Sequence, residues 1–143
     1  MSTGAPRAAA IQIFLAEDNP GDVRLIREAL KLHEVSFDLH VFEDGDKALR
    51  FIGRLADPEE VCPDVILLDL NLPRTDGRDI LKRVRQISRT QRVPVIVLSS
   101  SESPKDRAEA VSLGANRYVR KPSSLDEFMA IGALVKELAR STS

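Results

Sequence analysis

Five short apolar runs separated by segments of helical period constrain the fold of this chain more than any other feature. The runs are Ile11 to Leu15, Leu39 to Phe42, Val65 to Leu68, Val93 to Leu98, and Arg117 to Val119. Three are rich in Val, Ile and Leu without polar alternation, the pattern of strands buried on both faces in a parallel sheet covered by helices. Between the first two, Asn19 is a good N-cap and Pro20 suits the first helical position. Val23, Ile26, Ala29 and Leu30 then form one stripe, which predicts a helix over residues 20–32. Asp46 to Leu55 repeats the pattern through Ala48, Leu49 and Ile52, and Asp76 or Gly77 to Ile87 repeats it through Ile80, Leu81 and Val84. A fourth helix is expected from Pro104 to Leu113, stopped by Gly114. A fifth starts at a Ser123 or Ser124 cap and directs Leu125, Phe128, Ile131, Leu134, Val135 and Leu138 inward. The alternation predicts a doubly wound α/β domain with a five-stranded parallel sheet and right-handed crossovers over residues 11–140. Residues 1–10 read as a flexible arm and 141–143 as a tail.

A length of 143 residues suits one such domain, and no DNA-binding domain is expected beside it. The net charge of −1 carries no electrostatic footprint for nucleic acid or an anionic membrane surface. The single cysteine, Cys62, excludes an internal disulfide and a Cys-rich zinc site, in keeping with a reducing, cytoplasmic location. Neither a signal peptide nor a membrane-spanning apolar run is recognisable.

In open parallel sheets, ligands bind outside the carboxyl ends of the strands, so the residues just after each apolar run carry the chemistry. Here these are Glu17 and Asp18 after the first run, Asp69 after the third, Ser99 after the fourth, and Lys121-Pro122 after the last. Carboxylates brought close together need raised pKa values or a bound cation. An all-oxygen set with few protein ligands suits Mg²⁺, which keeps several waters and bridges carboxylates to phosphate. Asp69 is then the candidate acceptor of a phosphoryl group by in-line attack, with Lys121 as a point charge for a phosphate oxygen and the Ser99 hydroxyl as a donor to another.

Each element also has a bland explanation. Glu17-Asp18 would be favoured before a helix N-terminus in any case, and Asp69 alone would suit an Asx turn. Asp44-Gly45 and Asp76-Gly77 read as turn and helix-start features, and His33 and His40 as surface or boundary residues. The coincidence of matching chemistry at the same end of four predicted strands favours the functional reading.

Together, Ala16-Glu17-Asp18-Asn19, Leu67-Leu68-Asp69-Leu70-Asn71-Leu72-Pro73 with Asp76-Gly77, Val97-Leu98-Ser99-Ser100, and Tyr118-Val119-Arg120-Lys121-Pro122 resemble the receiver domain of two-component response regulators, over Ile11 to Arg140. The stretches Asp18 to Ile26 and Lys121 to Phe128 are similar to stand-alone regulators that partner phytochrome-type sensor kinases in bacteria. The resemblance implies sheet order 2-1-3-4-5 and a sensor histidine kinase as phosphodonor to Asp69. It implies Mg²⁺ held by Glu17, Asp18, Asp69 and the backbone carbonyl of Asn71. Ser99 and Tyr118 match the family's switch pair, and a plain reading of Tyr118 as an edge-strand aromatic packed on the last helix is compatible with that role. The resemblance further implies a homodimer face on the fourth helix, fifth strand and fifth helix, and no enzymatic activity beyond self-catalysed phosphoryl transfer and autodephosphorylation. Ser99 stands where Thr is commoner, and Ser100 where Ala or another small residue is frequent. The rival readings are a phosphorelay intermediate, a pseudo-receiver interaction module, and an Asp-nucleophile phosphatase. The last would need a second Asp where Asn71 stands and a motif near the first strand. Nucleotide binding lacks a glycine-rich loop after the first strand.

Overall fold

The computed structural model of the chain describes residues 10–141. Its elements are β1 (Ile11–Ala16), α1 (Pro20–Leu32), β2 (Phe37–Phe42), α2 (Gly45–Arg54), β3 (Val65–Asp69), α3 (Gly77–Gln86), β4 (Val95–Ser99), α4 (Pro104–Ser112), β5 (Arg117–Arg120) and α5 (Leu125–Ser141). The strands form one sheet in the order β2-β1-β3-β4-β5, and every neighbouring pair is parallel. Residues alternate between the two faces along each strand. Phe14, Ile66, Leu68 and Val97 therefore join the core under α2, α3 and α4, together with Ile52, Leu81 and Ala110. Leu15, Leu67, Ile96 and Leu98 join the opposite core under α1 and α5, with Ile26, Leu30, Phe128 and Val135. Helices on both faces explain why β3 and β4 are buried at every position and why their sequences show no polar alternation.

The helix starts follow the residues at their caps. Asn19 Oδ1 accepts from the amides of Gly21 and Asp22, Asp44 Oδ1 from Lys47, Asp76 Oδ1 from Arg78, and Ser124 Oγ from Glu127. Glycines permit several close approaches, two of which set helices against the sheet and each other. A Cβ on Gly132 of α5 would lie 2.2 Å from the Ala29 carbonyl oxygen of α1, and one on Gly77 would lie 2.6 Å from the Asp69 carbonyl oxygen. The second approach seats the start of α3 directly against the backbone of Asp69.

Several boundaries differ from the expected ones. β2 begins at Phe37 rather than Leu39, because pairing with β1 extends it back to the Ile11–Phe37 position. β4 begins at Val95 rather than Val93, since Pro94 has no N–H for the ladder and the Val93 amide turns to the Thr90 carbonyl at 3.1 Å. Leu125, expected to point inward, is 61% exposed: it is the first residue of α5, and Phe128 one turn later is the first to reach the core. Of the expected arm only Ala10, and of the expected tail only Ser141, are among the described residues; Ser141 ends α5 rather than following it. Cys62 is half-buried beside Pro63, and its thiol meets the Arg89 carbonyl at 3.2 Å. Both histidines lie at the boundary, His33 against the Met129 carbonyl and His40 against the Gln12 side chain and the Phe14 ring. Among the described residues, no helix is long and apolar enough to cross a membrane.

Candidate functional site

Strand order reverses at β1, whose two neighbours β2 and β3 follow it in sequence on opposite sides, and the carboxyl edge there is the expected ligand position. The register brings the strand ends level, with Ala16 opposite Leu68, Asp69 opposite Leu98, and Ser99 opposite Arg120. Asp69 lies on the α1/α5 side of its strand by alternation, and Glu17 and Lys121 leave β1 and β5 toward the same region. There the Lys121 ammonium meets Glu17 Oε1 at 2.8 Å, Asp22 Oδ2 at 2.9 Å and Asp69 Oδ2 at 3.0 Å. Its own amide donates to the Ser99 carbonyl at 2.7 Å, so the lysine is fixed at both ends. Asp69 Oδ1 accepts from the Asn71 amide at 2.9 Å; the Asx turn allowed by the sequence is present and leaves the other oxygen for the cluster.

Glu17, Asp18 and Asp69 each offer a carboxylate oxygen within 4.8 Å of the others. Glu17 is 1% exposed, and its buried Oε1 faces the ammonium as an ion pair without receiving a well-directed hydrogen bond. Burial, reinforced by the Asp69 charge and opposed by Lys121, raises the Glu17 carboxyl to about 7. Burial works against the Lys121 charge, but its contacts with the Glu17, Asp22 and Asp69 carboxylates outweigh this and push its pKa above the ordinary value. Crowded hard oxygens, one of them buried and poorly satisfied, fit a divalent cation. Beside them an open groove of about 330 Å³, lined by Glu17, Asp18, Pro20, Val23, Arg27, Val41 and Glu43, gives access from solvent.

Ser99 and Tyr118 lie on the other side of the sheet. Ser99 follows Val95 and Val97 in facing α2, α3 and α4, and its buried hydroxyl accepts from the Ser101 amide at 3.1 Å. Tyr118 packs in that same core with Ala110, beneath the Arg107 guanidinium at 5.1 Å from the ring centroid. This corrects the expected packing on the last helix: strand alternation gives Val119, not Tyr118, to the α5 side.

Glu17, Asp18, Asp69 and Lys121 are thus brought together as expected, while the Ser99 side chain stands across the sheet from the ammonium cluster. Asn71 follows on the loop, joined to Asp69 through its amide. Asp22 was missed. An acid in the first turn of a helix is commonplace, and only the tertiary fold places this one against a lysine 99 residues away. Ser101 was also missed; it lay in a serine-rich stretch with no distinguishing signal.

The response regulator receiver domain family matches residues 13–132. Response regulator Rcp1 of Synechocystis sp. is 36% identical over 116 residues, covering 80% of this chain and 79% of that protein. The structure of the phosphorylated cyanobacterial phytochrome response regulator RcpA superposes with a TM-score of 0.81 at 36% identity, over 94% of this chain and 97% of that one. The Mn²⁺-bound form of Rcp1 superposes with a TM-score of 0.78 at 33% identity, over 89% and 92% of the two chains. Fold, site geometry and these similarities agree: the chain belongs to the response regulator receiver domain family.

Proposed function

We propose that this protein receives a phosphoryl group on Asp69 from a sensor histidine kinase, with Mg²⁺ held by Glu17, Asp18, Asp69 and the Asn71 carbonyl, and signals by a change of shape. The observation that carries this reading is the position of Asp69: a carboxylate at the end of the central strand β3, 3.0 Å from a lysine ammonium and within 4.8 Å of two further carboxylates. An Asp69 oxygen forms a bond to phosphorus in line as the P–N bond to the donor histidine breaks, and the imidazole departs with the electron pair. Mg²⁺, when bound, neutralises charge on the phosphoryl oxygens. Lys121 holds a positive charge at the Asp69 oxygen where the phosphoryl group arrives. The family implies that Ser99 then turns toward the phosphoryl group and Tyr118 moves inward. In this chain that movement would exchange the Ser101 amide for a phosphate oxygen as the Ser99 partner.

The similarity to RcpA, a phytochrome response regulator, supports a phytochrome-type kinase as donor. Intact Asp69, Lys121 and acidic residues support turnover over a pseudo-receiver role, and the face around α4, β5 and α5 is the proposed site of self-association. The protein incubated with Mg²⁺ and phosphoramidate should gain one base-labile phosphoryl group by intact mass, and Asp69→Asn should gain none. Equal incorporation by that variant would overturn the assignment.

A further inference from the structure

Lys121 has three carboxylate partners, one just after β1, one on α1 and one at the end of β3, and two of them have other work at the proposed site. Glu17 and Asp69 belong to the carboxylate set that could hold a cation, and Asp69 is the proposed acceptor. Asp22 is outside that set, yet its Oδ2 lies 2.9 Å from the ammonium, as close as the others. It sits in the first turn of α1, where its amide is fixed by Asn19 Oδ1 at 3.2 Å, and its side chain is mostly buried.

We propose that Asp22 is a positioning residue for phosphoryl transfer, anchoring the Lys121 ammonium against α1 when Glu17 and Asp69 are engaged by the cation and the phosphoryl group. This inference rests on the reading of Asp69 as acceptor. A lysine side chain has four carbons of free rotation and three donor hydrogens, so a single oxygen contact leaves its head loosely placed. With Glu17 and Asp69 drawn to a cation, an unanchored ammonium regains that freedom and swings toward solvent. Asp22 removes it. The carboxylate takes one donor and leaves the remaining ones for a phosphoryl oxygen, and the Lys121 amide bond to the Ser99 carbonyl holds the other end of the residue. The bland alternative is an acid placed for the helix dipole, with its ion pair serving stability alone. On that alternative, loss of the charge lowers stability and leaves binding at the rim untouched.

The test is affinity for beryllofluoride, a phosphoryl mimic, measured by calorimetry on the full chain at saturating Mg²⁺. Wild type, Asp22→Asn, Asp22→Glu, Lys121→Gln and the Asp22→Asn/Lys121→Gln double variant are compared, with Asp69→Asn as the control for the site. Asp22→Asn is expected to weaken the mimic about tenfold, the loss of a charge-assisted contact, and Asp22→Glu to recover most of it. In the Lys121→Gln background, Asp22→Asn should have no further effect, because its action passes through the lysine. Wild-type affinity in Asp22→Asn, or losses from Asp22 and Lys121 that multiply in the double variant, would overturn the proposal. Thermal unfolding of each variant, read at the same Mg²⁺ concentration, separates binding loss from unfolding; a tenfold loss explained wholly by unfolded protein also overturns it. If wild type fails to bind the mimic, or Asp69→Asn binds it equally well, the reading of the site itself falls and takes this inference with it.

Discussion

The Tyr118 hydroxyl donates to the Ser101 carbonyl oxygen at 3.0 Å, and the amide of the same Ser101 donates to the Ser99 hydroxyl at 3.1 Å. One residue of the β4–α4 loop therefore touches both members of the expected switch pair. Ser101 Oγ also donates to Asp106 at 2.6 Å, which extends the chain of contacts into α4.

Tyr118→Phe keeps the ring in the core beside Ala110 and leaves the Ser101 carbonyl without its donor. Urea unfolding should show a stability loss of about 0.5–1.5 kcal/mol. Phosphorylation of Asp69 by phosphoramidate should proceed at the wild-type rate, because Tyr118 faces the opposite side of the sheet. A large loss of rate would place the tyrosine in the transfer step instead.

Gly132→Ala should destabilise the protein by roughly 1–3 kcal/mol despite the better helix propensity of alanine. The added Cβ would fall 2.2 Å from a backbone oxygen of α1, which has no rotamer by which to move aside. The midpoint of urea unfolding measures this directly, and an unchanged midpoint would show that α1 and α5 separate at little cost.

Glu17 makes the metal-free protein sensitive to pH. Its carboxyl is raised from the ordinary 4.5 to about 7, so between those values the folded chain binds more protons than the unfolded one. The contribution of Glu17 to stability is fully present below about pH 4.5 and is lost as pH rises through about 7. Cation binding needs the ionised form, so Mg²⁺ affinity should fall as pH drops below about 7, with uptake of the ion releasing a proton. Calorimetry in two buffers of different ionisation enthalpy counts that proton. Glu17→Gln should raise metal-free stability at pH 8 by about 1 kcal/mol and weaken Mg²⁺ binding; affinity independent of pH in wild type would contradict the assignment.

Arg78 of α3 pairs with Asp76, and it also reaches α4, where it meets Asp106 at 3.1 Å and Glu109. The group is only partly buried, so Arg78→Met should cost about 0.5–1 kcal/mol, and that difference should shrink in high salt. Urea midpoints measured at low and high ionic strength provide the check.

The sheet and its helices could be read along the chain because each element satisfies itself locally. A strand buried on both faces has to be apolar along its length, as Val65 to Leu68 is before Asp69, and caps such as Asn19 and Ser124 bond amides two or three residues away. The same locality explains the errors. Nothing near Leu39 signals that Phe37 pairs with Ile11, and the periodicity of α5 does not say that its first turn, with Leu125, stands clear of the core.

The candidate site was readable as far as strand ends made it so: Glu17, Asp18, Asp69, Ser99 and Lys121 each follow an apolar run, and parallel strands bring such ends to one edge. Tertiary structure decided how they divide. Side-chain alternation gathers Glu17, Asp69 and Lys121 on the α1 side and sends Ser99 and Tyr118 to the α4 side. The packing of α1 against the sheet turns Asp22 from a routine helix-start acid into a partner of Lys121. Sequence alone determined the acids, the lysine and the strand that carries Asp69, because burial and periodicity are local properties. Which carboxylate touches which ammonium depends on distances between residues far apart in the chain, and those exist only in the folded protein.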